Sequence, residues 1–129
     1  MYLGAIAPRQ STIGDIADEL QISKNHLMKI VNNLANAEVI IATRGKNGGV
    51  SLNKDALELT VAEIVEHVEP SLAVVECLST QPCKCIFVGA CGLTGLFAEA
   101  KQKFIEHLQT KTLAEIIDQN HSAGVRFSA

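Results

Sequence analysis

The sequence predicts a mainly α-helical fold with one small β-hairpin, followed by a long helix near the C-terminus. Three observations predict it. Apolar residues recur at three- and four-residue intervals over most of the chain, a β-branched run at 39–43 leads into a turn rich in Gly and Asn, and a long apolar stripe begins at Leu93. The chain has 129 residues, of which 47% are apolar, and this is enough for one core with or without an appended helix.

The first 36 residues predict three helical segments. Residues 1–7 are typical of the end of a helix stopped by a proline, and because seven residues are few for a core helix we expect helix 1 to be truncated at its N-terminus. Ser11 or Thr12 can cap the next helix, with Asp15 as a capping-box partner. After a short break, Ser23 can cap a second helix. Two short helices joined by a tight turn predict a helix-turn-helix.

The second of these helices and the hairpin after it predict a DNA-binding surface. The first turn of a recognition helix reaches base edges, where Asn and Lys can bond adenine, guanine or phosphate. A basic, glycine-rich hairpin directly after such a helix is typical of a wing that approaches phosphates closely, although taken alone it could equally be an ordinary surface loop. The predicted DNA-binding residues are Ser23, Lys24, Asn25, His26 and Lys29 on the helix, and Arg44, Gly45, Lys46, Gly48 and Gly49 on the wing.

The charge distribution favours a polyanion as partner. The chain carries a formal net charge of −3. Within residues 21–54, however, five basic residues face only Glu38, whereas residues 55–129 carry five basic against ten acidic residues. A local basic patch on an acidic protein is typical of binding to double-stranded DNA at one place, although an ordinary solvated surface explains the charges alone equally well.

The sequence lacks the features that would indicate a membrane protein, a secreted protein or an enzyme. No apolar run is long enough for a membrane span, and the start lacks a basic signal-peptide flank, so we expect a cytoplasmic protein with no membrane partner. No nucleophilic triad, Walker loop or dinucleotide fingerprint is present, so we do not expect an enzyme.

Four cysteines, at positions 77, 83, 85 and 91, fall within 15 residues. Thiolates are soft donors that bind iron or zinc, and the spacing Cys77-x7-Cys85-x5-Cys91 lacks the tight C-x2-C pair of structural zinc sites. Wider spacing on a loop suits an iron–sulfur cluster, and three ligands leave one iron position open to a signal molecule. Unliganded thiols, zinc, or a redox dithiol formed by Cys83 and Cys85 remain open alternatives from the residues alone.

The remaining segments predict further helices. Residues 59–68 predict an amphipathic helix, 112–117 a short one, and the C-terminal residues a loose tail. The apolar stripe of the long helix exceeds what a small core needs, so we predict a homodimer seam there. The stripe comprises Leu93, Leu96, Phe97, Ala100, Phe104 and Leu108. The predicted division is a winged helix-turn-helix domain at 1–70, a cysteine loop at 71–92, a dimerisation helix with a short terminal helix at 93–120, and a tail at 121–129.

Four segments together show a resemblance to a known family. ISKNHLMKI at 22–30, RGKNGGV at 44–50, VEP at 68–70 and the Glu76-Cys77 pair resemble the NsrR-type nitric-oxide-sensitive repressors, which belong to the winged-helix iron–sulfur regulators that include IscR. The similarity covers about residues 1–120. It implies a homodimer that binds a partly palindromic operator and represses genes for nitric oxide detoxification. It also implies a [2Fe–2S] or [4Fe–4S] cluster held by Cys77, Cys85 and Cys91, with Cys83 as an alternative ligand.

The chain departs from that family pattern at three places. The family usually has more residues before the segment that aligns with the start of this chain. IscR-like members carry a histidine three residues after the last cysteine, where this chain has Thr94, and this favours the nitric oxide sensor over an IscR-like regulator of cluster assembly. Glu38 stands where a glycine commonly ends the recognition helix, and we expect strain there if its φ is positive.

Overall fold

The computed structural model describes residues 1–45, 48–69, 71–79 and 81–124. Six α-helices and one antiparallel two-stranded hairpin follow one another along these residues, which confirms the predicted mainly α fold with a hairpin wing. The elements are α1 Tyr2–Ala5, α2 Ile13–Glu19, α3 Lys24–Asn36, β1 Ile40–Thr43, β2 Gly49–Leu52, α4 Val61–Val68, α5 Gly92–Gln109 and α6 Leu113–Ser122, with short 3₁₀ helices at Lys54–Glu58 and Glu76–Leu78.

The helix-turn-helix begins at the side-chain caps that the sequence predicts. The Thr12 hydroxyl accepts a hydrogen bond from the Asp15 N–H at 3.1 Å and donates one to the Asp15 carboxylate at 2.7 Å. The Ser23 hydroxyl accepts from the His26 N–H at 3.2 Å and so starts α3. Between the two helices Gln21 has a φ of 52°, which closes the turn within a few residues.

The hairpin is fixed to the helices by a short extra pairing. β1 and β2 pair antiparallel, with Ile40 opposite Leu52 and Thr43 opposite Gly49. Ser11, just before α2, exchanges two backbone hydrogen bonds with Val50, at 3.0 and 2.8 Å. The segment that precedes the helix-turn-helix therefore acts as a third, one-residue strand, and it sets the position of the wing relative to α2 and α3.

The hydrophobic core draws on both ends of the chain. Leu113 and Ile117 of α6 are buried in the same cluster as residues of α1, α2, α3 and the hairpin. Reciprocal backbone bonds join the start of α6 to the start of α4, from the Val61 N–H to the Lys111 carbonyl at 2.9 Å and from the Leu113 N–H to the Leu59 carbonyl at 2.8 Å. The cluster consists of Tyr2, Ile6, Ile16, Ala17, Leu27, Val31, Val39, Ile40, Val50, Ala56, Leu113 and Ile117.

Several element boundaries differ from the expectation. The helix expected at 59–68 begins only at Val61, because the Thr60 side chain caps it. The short helix expected at 112–117 runs on to Ser122, so the first two residues of the expected tail are helical. Residues 125–129 of that tail lie outside the described residues, as does the residue at position 70.

The long helix α5 confirms the helix predicted at this position, and its apolar stripe is largely exposed in the single chain. It packs against α4, yet only Ile105 among its residues is fully buried. Leu93, Leu96 and Phe104 of the predicted stripe are 56%, 60% and 53% exposed. No helix in the described part of the chain is both long and apolar enough to span a bilayer.

Candidate nucleic-acid interface and cysteine loop

The start of α3 presents a polar surface to solvent. Lys24, Asn25, His26 and Lys29 are all exposed, while Leu27 lies on the opposite side of the helix in the core. The remaining predicted residue, Ser23, is exposed as well, although its hydroxyl already caps the helix. Every predicted contact on this helix is therefore accessible to a duplex.

The cations of this surface are free to meet phosphates. Lys24, Lys29 and Arg44 take part in no ion pair within the described residues, where one ion pair found lies on α5 and the other joins Lys111 to Glu115 of α6. The Lys24 ammonium folds back over Gly14 of α2, so its charge lies between the first turns of both helices. Unpaired surface cations of this kind bind a polyanion at little desolvation cost.

The glycines of the wing have structural roles of their own. Gly45 is exposed with a φ of 112°, a conformation that disfavours other residues. A side chain on Gly48 would collide with the Thr43 carbonyl, and the Gly49 N–H donates to the Thr43 hydroxyl at 3.3 Å. The predicted wing residue Lys46 lies outside the described residues. The described wing thus offers Arg44 and a close backbone approach to a DNA partner.

The cysteine loop holds four free thiols, two of which meet the same residue. Cys77 lies in the second 3₁₀ helix, with its Sγ 3.9 Å from the Thr94 Oγ1 in the first turn of α5. Cys91 is the N-cap of α5, and its carbonyl accepts from the Thr94 N–H at 3.2 Å. Cys85 is exposed and Cys83 half-buried. Among the described residues no three His, Cys, Asp or Glu side chains are close enough to hold a metal ion.

The loop itself has few anchors. Apart from the Cys77–Thr94 contact, its described hydrogen bonds are local, such as those from the Ser79 hydroxyl to the Glu76 carbonyl at 2.7 Å and from the Val88 N–H to the Cys85 carbonyl at 3.2 Å. Ile86, next to Cys85, is 89% exposed. An open hollow of about 630 Å³ lies along the stretch from Ser71 to Lys84. Little packing therefore opposes a rearrangement of this loop.

The donor set fits an iron–sulfur cluster in its chemistry. None of the thiols is in a disulfide, and thiolate sulfur is the ligand that such clusters take. Cys91 lies at the positive end of the α5 dipole, where the first turn contains no acidic residue and no side chain caps the helix. The described residues of the single chain, however, do not bring a full ligand set together.

Two features of the structure are not predicted from the sequence. At Thr94 the sequence shows only the replacement of a histidine, whereas in the structure the contact of Thr94 with Cys77 joins two distant parts of the chain. The Thr60–Glu63 and Thr112–Glu115 pairs form complete capping boxes at the starts of α4 and α6. Their T-x-x-E pattern in the sequence is a signal that could have found them.

Comparison with known proteins decides the class of this chain. The model of the Rrf2 family, described as an iron-dependent transcriptional regulator, matches residues 1–119. The chain belongs to the Rrf2 family. It is therefore a DNA-binding transcriptional regulator, in agreement with the winged-helix reading of its N-terminal residues.

Solved structures similar to this Rrf2 chain share its fold. IscR from T. potens has a TM-score of 0.69 at 17% identity, covering 97% of this chain and 82% of that one. A transcriptional regulator from Lactobacillus plantarum has a TM-score of 0.72 at 22% identity, covering 93% and 83%. CymR, the global cysteine regulator of B. subtilis, has a TM-score of 0.63 at 20% identity, covering 91% and 84%. At these identities the similarity shows the fold alone.

Proposed function

We propose that this Rrf2 regulator is a homodimeric repressor that senses nitric oxide through an iron–sulfur cluster held by Cys77, Cys85 and Cys91. Loss of repression would release genes for nitrosative stress. The observation that carries the proposal is a single exposed loop with free thiols at the start of α5, in a chain whose recognition helix is exposed and basic. The description of the family as iron-dependent supports iron as the metal.

The DNA-binding half of the proposal rests on the face that α3 presents. Asn25 can make paired hydrogen bonds to adenine, and Lys24 can reach guanine or phosphate from the first turn. Lys29, one turn later, contacts the phosphate backbone. Arg44 on the wing binds an adjacent groove or phosphate. In a symmetric dimer two such faces read half-sites about one helical turn apart.

The proposed homodimer rests on the uncovered face of α5. Leu93, Leu96 and Phe104 are more than half exposed and lie along one helix. An apolar stripe of this length on an otherwise packed chain is typical of a surface that a second copy covers. The two copies of α5 then form the seam that holds the two recognition helices at a fixed separation.

In the sensing half of the proposal, the three cysteines and Thr94 each have a role at the cluster. When bound, a [2Fe–2S] or [4Fe–4S] cluster supplies iron that nitric oxide can attack. Cys77 and Cys91 supply two thiolate ligands at the start of α5, and Cys85 supplies the third from the exposed part of the loop. Thr94, in place of the histidine of IscR-like members, leaves an iron position without a strong protein ligand and so open to a small molecule.

A packed path connects the loop with the DNA-reading helix. α5 packs against α4, and α4 packs against α3. A change in the loop that shifts the start of α5 therefore reaches the recognition helix through one intervening helix. Because both copies shift, the separation of the recognition helices no longer fits the two half-sites.

A second candidate is a regulator that uses thiol chemistry alone. The observation in its favour is that Cys83 and the exposed Cys85 are two residues apart, with no assembled three-ligand site within the described residues. It predicts a chain without iron whose operator binding responds to oxidants of thiols and not to nitric oxide.

The deciding experiment uses the full chain purified without air. Iron and sulfide are measured, and binding to an operator fragment selected from genomic DNA is titrated before and after nitric oxide treatment. We expect iron and sulfide in the protein and a loss of affinity of about tenfold or more, the size typical of effector coupling. Unchanged operator binding after nitric oxide, or an iron-free protein that responds only to thiol oxidants, would reject the proposal.

Matched variants separate the two halves of the proposal. Cys91→Ser should abolish cluster binding, whereas Cys83→Ser should keep it. Lys29→Ala should reduce the salt dependence of DNA binding by about one phosphate contact, whereas Lys103→Ala, an exposed lysine on α5, should leave it unchanged. Asn25→Ala should cost about 1–3 kcal/mol at the operator and little on unrelated DNA.

A further inference from the structure

The first turn of α5 connects the two ends of the cysteine loop. The second 3₁₀ helix, which carries Cys77, packs against α5, and the Cys77 Sγ lies 3.9 Å from the Thr94 Oγ1. The Thr94 N–H in turn donates a hydrogen bond to the Cys91 carbonyl at 3.2 Å, within the first turn of the helix. The Thr94 side chain thus contacts Cys77 and the Thr94 backbone contacts Cys91, and these first and last cysteines of the segment are 14 positions apart in the chain.

The direction of the contact with Cys77 follows from the chemistry of the sulfur. In the free thiol either atom can donate the proton. Once the sulfur binds a metal it is a thiolate and has no proton, so only the Thr94 hydroxyl can donate. Hydrogen bonds to ligand sulfurs orient them and stabilise their charge.

The third proposed ligand, Cys85, lies between these two in the chain and has different surroundings. Cys85 is exposed, whereas Cys77 and Cys91 are half-buried. The neighbours of Cys85 on the C-terminal side, Ile86 and Phe87, are 89% and 59% exposed. Among the described residues, no three His, Cys, Asp or Glu side chains lie close enough together to hold a metal ion, and this includes the three proposed cysteine ligands.

We propose that Thr94 is a positioning residue that seats Cys77 beside Cys91 at the start of α5, so that two thiolates are in place before Cys85 closes the metal site. This inference rests on the proposed function for the identity of the ligands. It adds an order of assembly, in which a prepared pair binds first and the exposed loop follows. It also assigns a role to Thr94, which stands where IscR-like members carry a histidine.

The test uses Co²⁺ as a probe of the metal-free full chain under anaerobic conditions, because sulfur-to-cobalt charge-transfer absorbance reports how many thiolates bind. Thr94→Val keeps the shape of the side chain and removes the hydroxyl, and we expect Co²⁺ affinity to fall about tenfold, the lower end for loss of a hydrogen bond to a ligand. Thr94→Ser, which retains the hydroxyl, should bind Co²⁺ nearly as wild type does. Thr110→Val, at the other end of α5, is the matched control and should have no effect.

The order of assembly is read from the cysteine variants. Cys85→Ser should still bind Co²⁺, with about two-thirds of the charge-transfer intensity, because two of three thiolates remain. Cys77→Ser and Cys91→Ser should each bind far more weakly than Cys85→Ser. The proposal is overturned if Thr94→Val binds as wild type does, if Thr94→Ser is as weak as Thr94→Val, or if the three cysteine variants lose binding equally.

These outcomes are independent of the proposed function. Co²⁺ binding requires neither a cluster, nor nitric oxide, nor DNA. If operator binding by the iron-loaded protein does not respond to nitric oxide while the Co²⁺ results are as expected, the sensing proposal fails and the positioning role of Thr94 is retained. If nitric oxide releases the operator while Thr94→Val binds Co²⁺ normally, only the role of Thr94 fails.

Discussion

The chain contains two parts with opposite packing. We call residues 1–69 with α6 the winged-helix part, and residues 71–109 the cysteine part. Of the fourteen buried hydrophobic side chains described, thirteen belong to the winged-helix part, and Ile105 alone belongs to the cysteine part. Of the eleven large hydrophobic side chains described as exposed, seven lie in the cysteine part. One part therefore completes its own core, while the other holds apolar surface that a single chain leaves uncovered.

This difference in packing assigns stability to the winged-helix part and conformational change to the cysteine part. A part with a closed core resists local change, because its side chains interdigitate and any shift costs contacts. A part with few buried contacts and local hydrogen bonds opens and rearranges at low cost. A regulator that must keep its DNA-reading face intact while its sensor changes shape gains from this division. The variants below test whether the two parts differ in this way.

Ile117→Ala should have the largest effect on folding. Ile117 is buried where α6 lies against α1, with Gly4 allowing the close approach, so truncation leaves a cavity in the shared core. We expect the free energy of unfolding in urea to fall by about 2–5 kcal/mol. The matched change in the cysteine part, Ile86→Ala, removes a side chain that is 89% exposed and should alter it by about 0.5 kcal/mol or less.

Equal effects of these two substitutions would contradict the comparison. A small loss for Ile117→Ala would mean that α6 is not part of the core that folds. A large loss for Ile86→Ala would mean that the loop is packed in solution. The Ile86→Ala measurement should therefore be repeated at low protein concentration, where a second copy cannot cover the loop.

The sequence predicted the winged-helix part better than the cysteine part. Thr12 and Ser23 as caps, and the wing hairpin, follow from local chemistry that three or four neighbouring residues decide. The burial of Leu113 and Ile117 depends on α6 returning to α1 across the whole chain, and periodicity cannot show which surface a helix meets. The contact of Thr94 with Cys77 has the same origin, since a separation of 17 residues carries no local signal.

The strain expected at the end of the recognition helix offers a smaller effect. Glu38 has a φ of 57°, so the condition under which the sequence predicts strain is met. A left-handed non-glycine residue costs about 1–2 kcal/mol, and glycine loses part of that gain through its more flexible unfolded chain. We expect Glu38→Gly to raise the free energy of unfolding by about 1 kcal/mol or less.

The neighbouring contacts favour that outcome. The Glu38 carbonyl accepts from the Asn53 side chain at 2.7 Å, and this bond is independent of the residue at position 38. Gln21→Gly, at a φ of 52°, should act in the same direction. Glu66→Gly, inside α4, is the opposite control and should destabilise by about 1 kcal/mol. A destabilised Glu38→Gly variant would show that the carboxylate, and not the backbone, matters at this position.

The smallest predicted effect is a dependence of stability on pH, and it arises where α4 and α6 begin side by side. Thr60 and Thr112 pair across an isolated bridge, so the positive ends of α4 and α6 lie next to each other. Glu63 accepts from the Thr60 N–H at 2.8 Å, and Glu115 accepts from the Thr112 N–H at 2.9 Å. These backbone hydrogen bonds lower the pKa of each carboxyl below its ordinary value, with further help from the Thr60 hydroxyl for Glu63 and from Lys111 for Glu115.

Because the pKa of both carboxyls is lower in the folded chain, their contribution is complete above the unfolded-state pKa of about 4.3 and is lost as the pH falls through the folded-state value. The Glu63→Gln/Glu115→Gln double variant should therefore be less stable than wild type near neutral pH, with a difference that shrinks as the solution is acidified. Urea unfolding followed by circular dichroism at a series of pH values measures this convergence. Glu66→Gln, on α4 but outside the capping box, should run parallel to wild type throughout. If the double variant also stays parallel, the two carboxylates do not stabilise the junction of α4 and α6, and that junction is held by its backbone hydrogen bonds and apolar contacts.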